Sequence, residues 1–215
     1  MRRALLLAAA LALAGCTPSA LAPVSSADSV GSGETLVVGR VELVPPLRKG
    51  EQRLTAIGTG QYENLMLLLT GERDRPVPAD PKIADYADRI EAELGSLFFV
   101  RTRSAPFYIQ GGIVFLDMGS TMSRARFPGG LRVALKPGDR AVYIGTLRYH
   151  RNEFFDITDV QVVDEYPAAN AEYSKKFGNG VPLSKALMTL PKSGRGSPRV
   201  AMANGEWRMA EGTPR

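Results

Sequence analysis

LRVALKPGDRAVYIGTLRYHRNEFFDITDVQVV, residues 131–163, decides the fold. Leu131, Val133 and Leu135 alternate with Arg132, Ala134 and Lys136, the period of a half-buried strand. Lys136-Pro137-Gly138-Asp139 then reads as a turn. Proline presets φ at the first central position, and glycine accepts the positive φ of a type II turn at the second. Arg140 to Tyr149 is apolar on both faces, with Ala141, Tyr143 and Leu147 on one and Val142 and Ile144 on the other. That pattern predicts a central strand covered on both sides. His150-Arg151-Asn152-Glu153 turns the chain, and Phe154 to Val163 reads as a third strand of a meander. Gly145 lies within the central strand, where a glycine has no side chain to pack. A ring from Tyr173 or Phe177 over its backbone is expected there, with a bulge as the alternative.

The meander needs cover, and the upstream strands supply it. Thr35 to Val44 is a strand with a bulge at Gly39, ended by Pro45-Pro46. Leu47 to Gly60 is a polar connection. Glu63 to Thr70, with the run Leu65 to Leu69, is a buried strand. After the proline-rich loop 73–79, Asp80-Pro81 is a helix start, Ile83, Tyr86, Ile90 and Leu94 share a helical face, and Gly95 stands as C-cap. This predicts a helix over 81–94, lying on the sheet. Leu97 to Arg103 and Phe107 to Leu116 are further strands, the second interrupted at Gly111-Gly112 by a hairpin or a bulge. Residues 117–130 read as loop. The expected fold is mainly β: a two-sheet β-sandwich of about seven strands with one peripheral helix.

Downstream, Pro167 to Phe177 reads as a helix with Tyr166, Ala169, Tyr173 and Phe177 on one face and Gly178 at its end. Leu183 to Leu190 is expected to add a short helix. Asn204-Gly205 signals a hairpin that sets Met202 opposite Trp207 and Val200 opposite Met209; the alternative is a disordered tail. The organisation is therefore a sandwich over 34–166, a helical extension over 167–190 and a flexible tail over 191–215.

The first residues have a different task. Met1-Arg2-Arg3 is basic, Ala4 to Ala12 is an unbroken Ala/Leu run, and small residues follow, the layout of a secretory signal peptide over 1–15. Leu13-Ala14-Gly15-Cys16 resembles the lipobox of bacterial lipoproteins. The resemblance implies a diacylglyceryl group on the Cys16 thiol, cleavage before Cys16 and acylation of its new amine. It implies an exported protein anchored to the cell envelope through Cys16. Thr17, where aspartate would favour the inner membrane, favours the outer one. Residues 16–33, rich in Ser, Ala, Pro and Gly, read as a flexible lipidated tether spanning about 20–25 Å as a coil.

A second resemblance covers residues 35–166. Phe98-Phe99-Val100, Tyr108 and LKPGDRAVYIGTL, with its Tyr143-Ile144-Gly145, look like small transthyretin-like or carboxypeptidase-regulatory-like sandwich domains. An Ig-like sandwich is the neighbouring possibility. The resemblance implies a fold and no activity, and the helix expected over 81–94 departs from it.

Composition narrows the function. The chain of 215 residues is 44% hydrophobic and 23% charged, ordinary for a globular domain. Without Arg2 and Arg3 the 27 basic residues become 25 against 22 acidic ones, too small an excess to argue for nucleic acid. Cys16 is the only cysteine and His150 the only histidine. With Cys16 lipidated, no Cys/His zinc site forms, and no Ser-His-Asp or Cys-His arrangement exists apart from one built on His150. Gly58-Thr59-Gly60 lacks the third glycine and the following helix of a phosphate loop.

Asp156, Asp159, Asp164 and Glu165 are the densest acidic group. Asp164 reads as a carboxylate at a helix N-terminus. Arg124/Arg126, Arg148/Arg151 and Lys175/Lys176 read as solvated surface, or as contacts to anionic headgroups or cell-wall polymer. The expectation is a non-catalytic envelope lipoprotein with no cofactor or metal. It binds or assembles with another envelope protein or cell-wall polymer, and its membrane contact is Cys16. The alternative is a carboxylate-dependent envelope hydrolase using Asp156, Asp164 and Glu165.

Overall fold

The computed structural model describes residues 19–21, 23–24, 30–48, 51, 55–57, 60–62, 64–75, 88–117, 122–190, 199–201 and 207–209. The expected leader, Cys16, residues 81–87 of the expected helix and residues 191–198 of the tail lie outside the described residues.

The chain folds as a two-sheet β-sandwich. Sheet I has five strands in the order β1 (Ser19–Ala20), β6 (Asp88–Glu93), β5 (Leu65–Gly71), β8 (Phe107–Asp117) and β9 (Met122–Val133). Sheet II has the order β11 (Ile157–Val163), β10 (Ala141–Arg151), β2 (Glu34–Val44) and β7 (Leu97–Arg103), with β12 (Ser184–Lys185) also beside β10. Two small hairpins are hydrogen-bonded into neither sheet, β3 (Thr55–Ile57) with β4 (Gly60–Tyr62) and β13 (Arg199–Ala201) with β14 (Trp207–Met209), the latter lying against β9. Most neighbours are antiparallel, but β10 lies parallel to β2, so the chain builds most of sheet I between these two partners.

Period-two burial makes the core. Val37 and Val41 of β2, Met66 and Leu68 of β5, Ile109 and Val114 of β8, and Val142 and Leu147 of β10 meet between the sheets. Tyr149 links the layers directly: its hydroxyl donates to the Pro128 carbonyl of β9 at 2.7 Å, and its ring packs edge-on to Phe127 with centroids 5.0 Å apart. Burial raises the pKa of this phenol far above its ordinary value.

Residues 131–163 do not form one meander. β10 and β11 pair as an antiparallel hairpin, but β9 belongs to the opposite sheet. The Pro137-Gly138 turn forms as expected, with Gly138 at φ 91° and the Asp139 N–H donating to the Lys136 carbonyl at 3.1 Å. It carries the chain from one sheet to the other, because turn chemistry fixes a local reversal and not the pairing of its flanks.

Three further expectations are corrected. Residues 88–93 of the expected helix are strand β6. Ile90 and Ala92 are buried between Arg89, Glu91 and Glu93, a period of two, and Ile90 pairs with Leu68. Gly95 lies in the turn from β6 to β7, where the Ser96 N–H reaches the Glu93 carbonyl at 3.2 Å. Residues 122–130, read as loop, belong to β9. This edge strand is polar, and Pro128-Gly129-Gly130 sit at a register shift against Gln110 rather than at a chain reversal. Residues 183–190 are extended, not helical. Ala186 and Met188 N–H groups donate to the Tyr143 and Ile144 carbonyls, and Thr189 exchanges hydrogen bonds with Arg132, so this strap touches both sheets.

The interruption at Gly111-Gly112 is resolved as a bulge: β8 runs unbroken through it, with register shifts against β5 and β9. The tail hairpin forms with Ala201 opposite Trp207, one residue away from the register expected for a two-residue Asn204-Gly205 turn.

Helix α1 (Tyr166–Phe177) lies on the outer face of sheet II. Ala169 and Tyr173 are buried against Leu36, Val38, Phe99 and Tyr143, and Gly178 ends the helix with its N–H on the Ser174 carbonyl at 2.8 Å. The helix, the strands beneath it and Val24 and Val30 from the expected tether share one apolar cluster.

Candidate functional site

Gly145 divides the outer face of sheet II in two. The register of β10 against β2 shifts between Tyr143 and Thr146, a bulge at a residue with φ 102°. Before it, Ala141 and Tyr143 face the helix; after it, Leu147 and Tyr149 face the core. Thr146, Arg148 and His150 thereby come to the outer face of the sheet, opposite Arg40, Glu42 and Val44 of β2. The face shared by Tyr143 and Leu147 in the sequence reading is corrected by this inserted residue. The ring expected over Gly145 is absent too: Val162 and Leu187 are the side chains that a Cβ there would meet.

The polar half of the face is knitted together by Glu165. Its Oε2 accepts from Thr146 Oγ1 at 2.8 Å and Arg40 Nη1 at 3.2 Å, and its Oε1 from Arg148 Nη2 at 3.1 Å. Arg148 also reaches Glu42 at 2.8 Å, and Arg40 reaches Glu172 at 3.3 Å. The Tyr143 hydroxyl accepts the Glu165 N–H at 3.1 Å. These bonds fasten the start of α1 to β2 and β10. A carboxylate held by two guanidinium groups and a hydroxyl is a fixed anion, suited to joining elements.

The other carboxylates are elsewhere. Asp164 is exposed, pairs with Lys185 Nζ at 2.7 Å and accepts the Tyr166 N–H at 3.1 Å, the helix-terminus role expected for it. The Lys185 hydrogen bond, helped by the Tyr166 N–H, holds its pKa below the ordinary range. Asp159 binds Gln161 at 2.7 Å. Asp156 sits at the far end of β11, about 25 Å from Asp164 at the rise of a strand. Asp156, Asp164 and Glu165 thus do not converge. Among the described residues no group of His, Cys, Asp and Glu is placed to hold a metal. His150 lies in β10 rather than in a turn, its Nε2 buried without a hydrogen-bond partner among the described residues.

The basic pairs separate likewise. Arg124 stands over the Phe115 ring, while Arg126 keeps Nε and Nη1 buried and without a hydrogen-bond partner among the described residues. Lys176 lies 4.3 Å from the Phe99 ring centroid, and Lys175 is exposed. Arg151 is not surface at all. Its fully buried side chain donates to the Pro45 carbonyl at 3.0 Å and the Pro46 carbonyl at 2.9 Å, and pairs with Glu51 at 2.7 Å.

Beyond Arg151 the hairpin loop 152–156 carries the feature that sequence reasoning missed. The Asn152 Oδ1 accepts the N–H groups of Phe154 and Asp156, each at 2.9 Å, and its Nδ2 donates to Asp156 Oδ2 at 2.9 Å. The Asn152 N–H reaches the Asp156 carbonyl at 3.0 Å. Phe155, at φ 64°, turns inward under Arg151, its ring centroid 4.0 Å from the guanidinium carbon. Phe154 is left 75% exposed. The sequence reading placed Phe154 in a strand. The spacing of Asn152 and Asp156 was the available signal, since such side chains close loops on their own backbone.

A concavity of about 260 Å³ lies between α1 and the segment after it, lined by Tyr166, Asn170, Tyr173, Val181 and Leu183. It is below the usual size of a small-molecule site, about 300–1,000 Å³. Comparison of the chain with protein-family models, with curated proteins and with solved structures gives no match.

Proposed function

We propose that this chain is a lipid-anchored protein of the bacterial cell envelope that works by binding, with Phe154 as the anchor of its contact with another envelope protein. The carrying observation is a phenylalanine 75% exposed on a loop whose backbone is held by Asn152. An aromatic side chain on a fixed backbone loses little freedom on binding, and such residues dominate protein interfaces when they enter an apolar pocket. The lipobox-like Leu13-Ala14-Gly15-Cys16 supports the anchor, with the outer membrane favoured by Thr17.

A photoreactive benzoylphenylalanine placed at Phe154 tests the contact in intact envelopes. A discrete protein adduct from this position, missing when the probe replaces exposed Lys175, is the expected result. Adducts only with cell-wall polymer would shift the partner to carbohydrate, and identical labelling from both positions would discard the role of Phe154.

A further inference from the structure

Ser19 is the third residue after Cys16, and it is already in a strand. β1 lies parallel to β6, with Ser19 opposite Asp88 and Ala20 opposite Arg89. The Leu21 N–H donates to the Arg89 carbonyl at 2.7 Å. Pro23 then bridges Val100, and the Val24 N–H donates to the Phe99 carbonyl at 3.1 Å. The segment therefore closes the β6 edge of sheet I and then the β7 edge of sheet II, and Val24 is buried. Within the expected tether over 16–33, residues 19–21 and 23–24 pair with β6 and β7 and Val30 is buried, and in sequence only Thr17 and Pro18 separate Cys16 from this paired backbone. Three residues reach at most about 11 Å.

We infer that the bilayer holding the Cys16 anchor contacts the end of the sandwich where Ser19 enters, so that the domain stands on the membrane in one orientation. The inference rests on the reading of Cys16 as the acylated first residue. That end of the sandwich is well defined. The Ser104 N–H donates to the Gly33 carbonyl at 2.9 Å, and Thr35 Oγ1 joins Ser104 Oγ and the Asp139 carbonyl, each at 2.8 Å. Ala105, Pro106, Pro137 and Gly138 are exposed there. Its charges are mixed, with Arg103, Lys136 and Arg140 beside Asp88 and Asp139, so the short tether sets the orientation and headgroup charge does not. β10 runs away from this end for 11 residues, about 35 Å. Phe154 is thereby carried to the pole facing away from the bilayer, where a partner outside that membrane meets it.

The test uses the full acylated chain in phosphatidylcholine vesicles that carry an acceptor dye on their headgroups. Once Cys16 is in thioether linkage, a donor dye has one thiol to react with, in either Ala105→Cys or Glu153→Cys. Energy transfer to the bilayer is expected to be strong from position 105 and weak from position 153. A flexible insertion of about ten Gly/Ser residues after Thr17 is expected to bring the two together by freeing the domain. Equal transfer from both positions without the insertion, or stronger transfer from 153, overturns the orientation alone. Protein that neither incorporates a fatty-acid probe nor floats with vesicles overturns the lipoprotein reading and the orientation together.

Discussion

The Phe98 ring stands over Gly39. A Cβ at residue 39 would lie 2.5 Å from Phe98 Cζ and 3.0 Å from Ile144 Cγ1. The two residues face each other in the β2–β7 ladder, and the ladder keeps its register through them. Gly39 is thus a place where an aromatic ring occupies the space of a missing side chain. Gly39→Ala is expected to push Phe98 out of position and cost about 1–3 kcal/mol. Phe98→Leu in the same chain should recover part of the loss. A denaturant midpoint for Gly39→Ala equal to the parent's would refute this packing.

Gly145 has the opposite cause. Its φ of 102° is one that side-chain-bearing residues rarely adopt, and a Cβ would sit 3.0 Å from Val162 Cγ1. Gly145→Ala and Gly145→Val should both destabilise, each by about 1–3 kcal/mol of backbone strain. Because the bulge sets which face of β10 meets Glu165, loss of it should also loosen α1. Hydrogen exchange of the α1 amides reports this, and unchanged protection in Gly145→Ala would separate the helix from the bulge.

These two glycines show what the sequence carried. A glycine in a strand marks a site of close approach or irregular backbone, and both were legible as such. Which cause applies at which site was not: a bulge was expected at Gly39 and a ring at Gly145, whereas the ring lies over Gly39 and the bulge's extra residue is in β10, where Ile144 and Gly145 stand opposite Gly39. The reason is that both causes lie in partner strands far away in sequence. The same limit explains β6, where Ile90 and Leu94 fit a helical spacing as well as Ile90 and Ala92 fit a strand, and only pairing with Leu68 decides. It also explains β9, whose apolar alternation is legible at Leu131 and Val133 but not along Arg124 and Arg126. Of the candidate site, Asp164 was legible because its role is local. Glu165 and Arg151 draw their partners from more than one part of the chain.

Acid should weaken the fold through two carboxylates. Burial raises the Glu51 pKa, but the hydrogen bonds from Arg151 and the Arg48 N–H and the charges of both arginines outweigh it, so the group sits below its ordinary 4.5. Asp164 is held below 3.8, chiefly by Lys185. A carboxylate depressed in the folded chain stabilises it above the unfolded pKa, and that contribution disappears as pH falls through the folded value. The melting temperature should therefore be level above about pH 5 and decline below it. Glu51→Gln should flatten part of the decline. A parent and variant with superimposable acid profiles would remove Glu51 from the account.

The anchor is tested by Cys16→Ser. The variant should lose fatty-acid labelling and appear in the soluble fraction after export. Its domain should melt as the parent does, because β1 pairs through backbone groups that the substitution leaves untouched. Persistent labelling of Cys16→Ser would end the lipoprotein proposal.

Phe154 and Asn152 divide the work of the hairpin tip. Phe154 is exposed, so Phe154→Ala should change stability by no more than about 0.5 kcal/mol while weakening binding of the partner identified by crosslinking at least about tenfold. Asn152→Ala removes three side-chain hydrogen bonds within the loop. At about 0.5–1.5 kcal/mol for a typical bond, partly replaced by water at this exposed site, the fold should survive with a modest loss. Phe154 would remain, but on a loosened backbone. The partner's affinity should then fall through the cost of ordering the loop on binding, with dissociation faster and association little changed. Binding kinetics of the two variants against the captured partner distinguish the roles. If Asn152→Ala binds like the parent, preorganisation of the loop is irrelevant. If Phe154→Ala melts as low as a core substitution, its exposed ring has a structural task instead of a binding one.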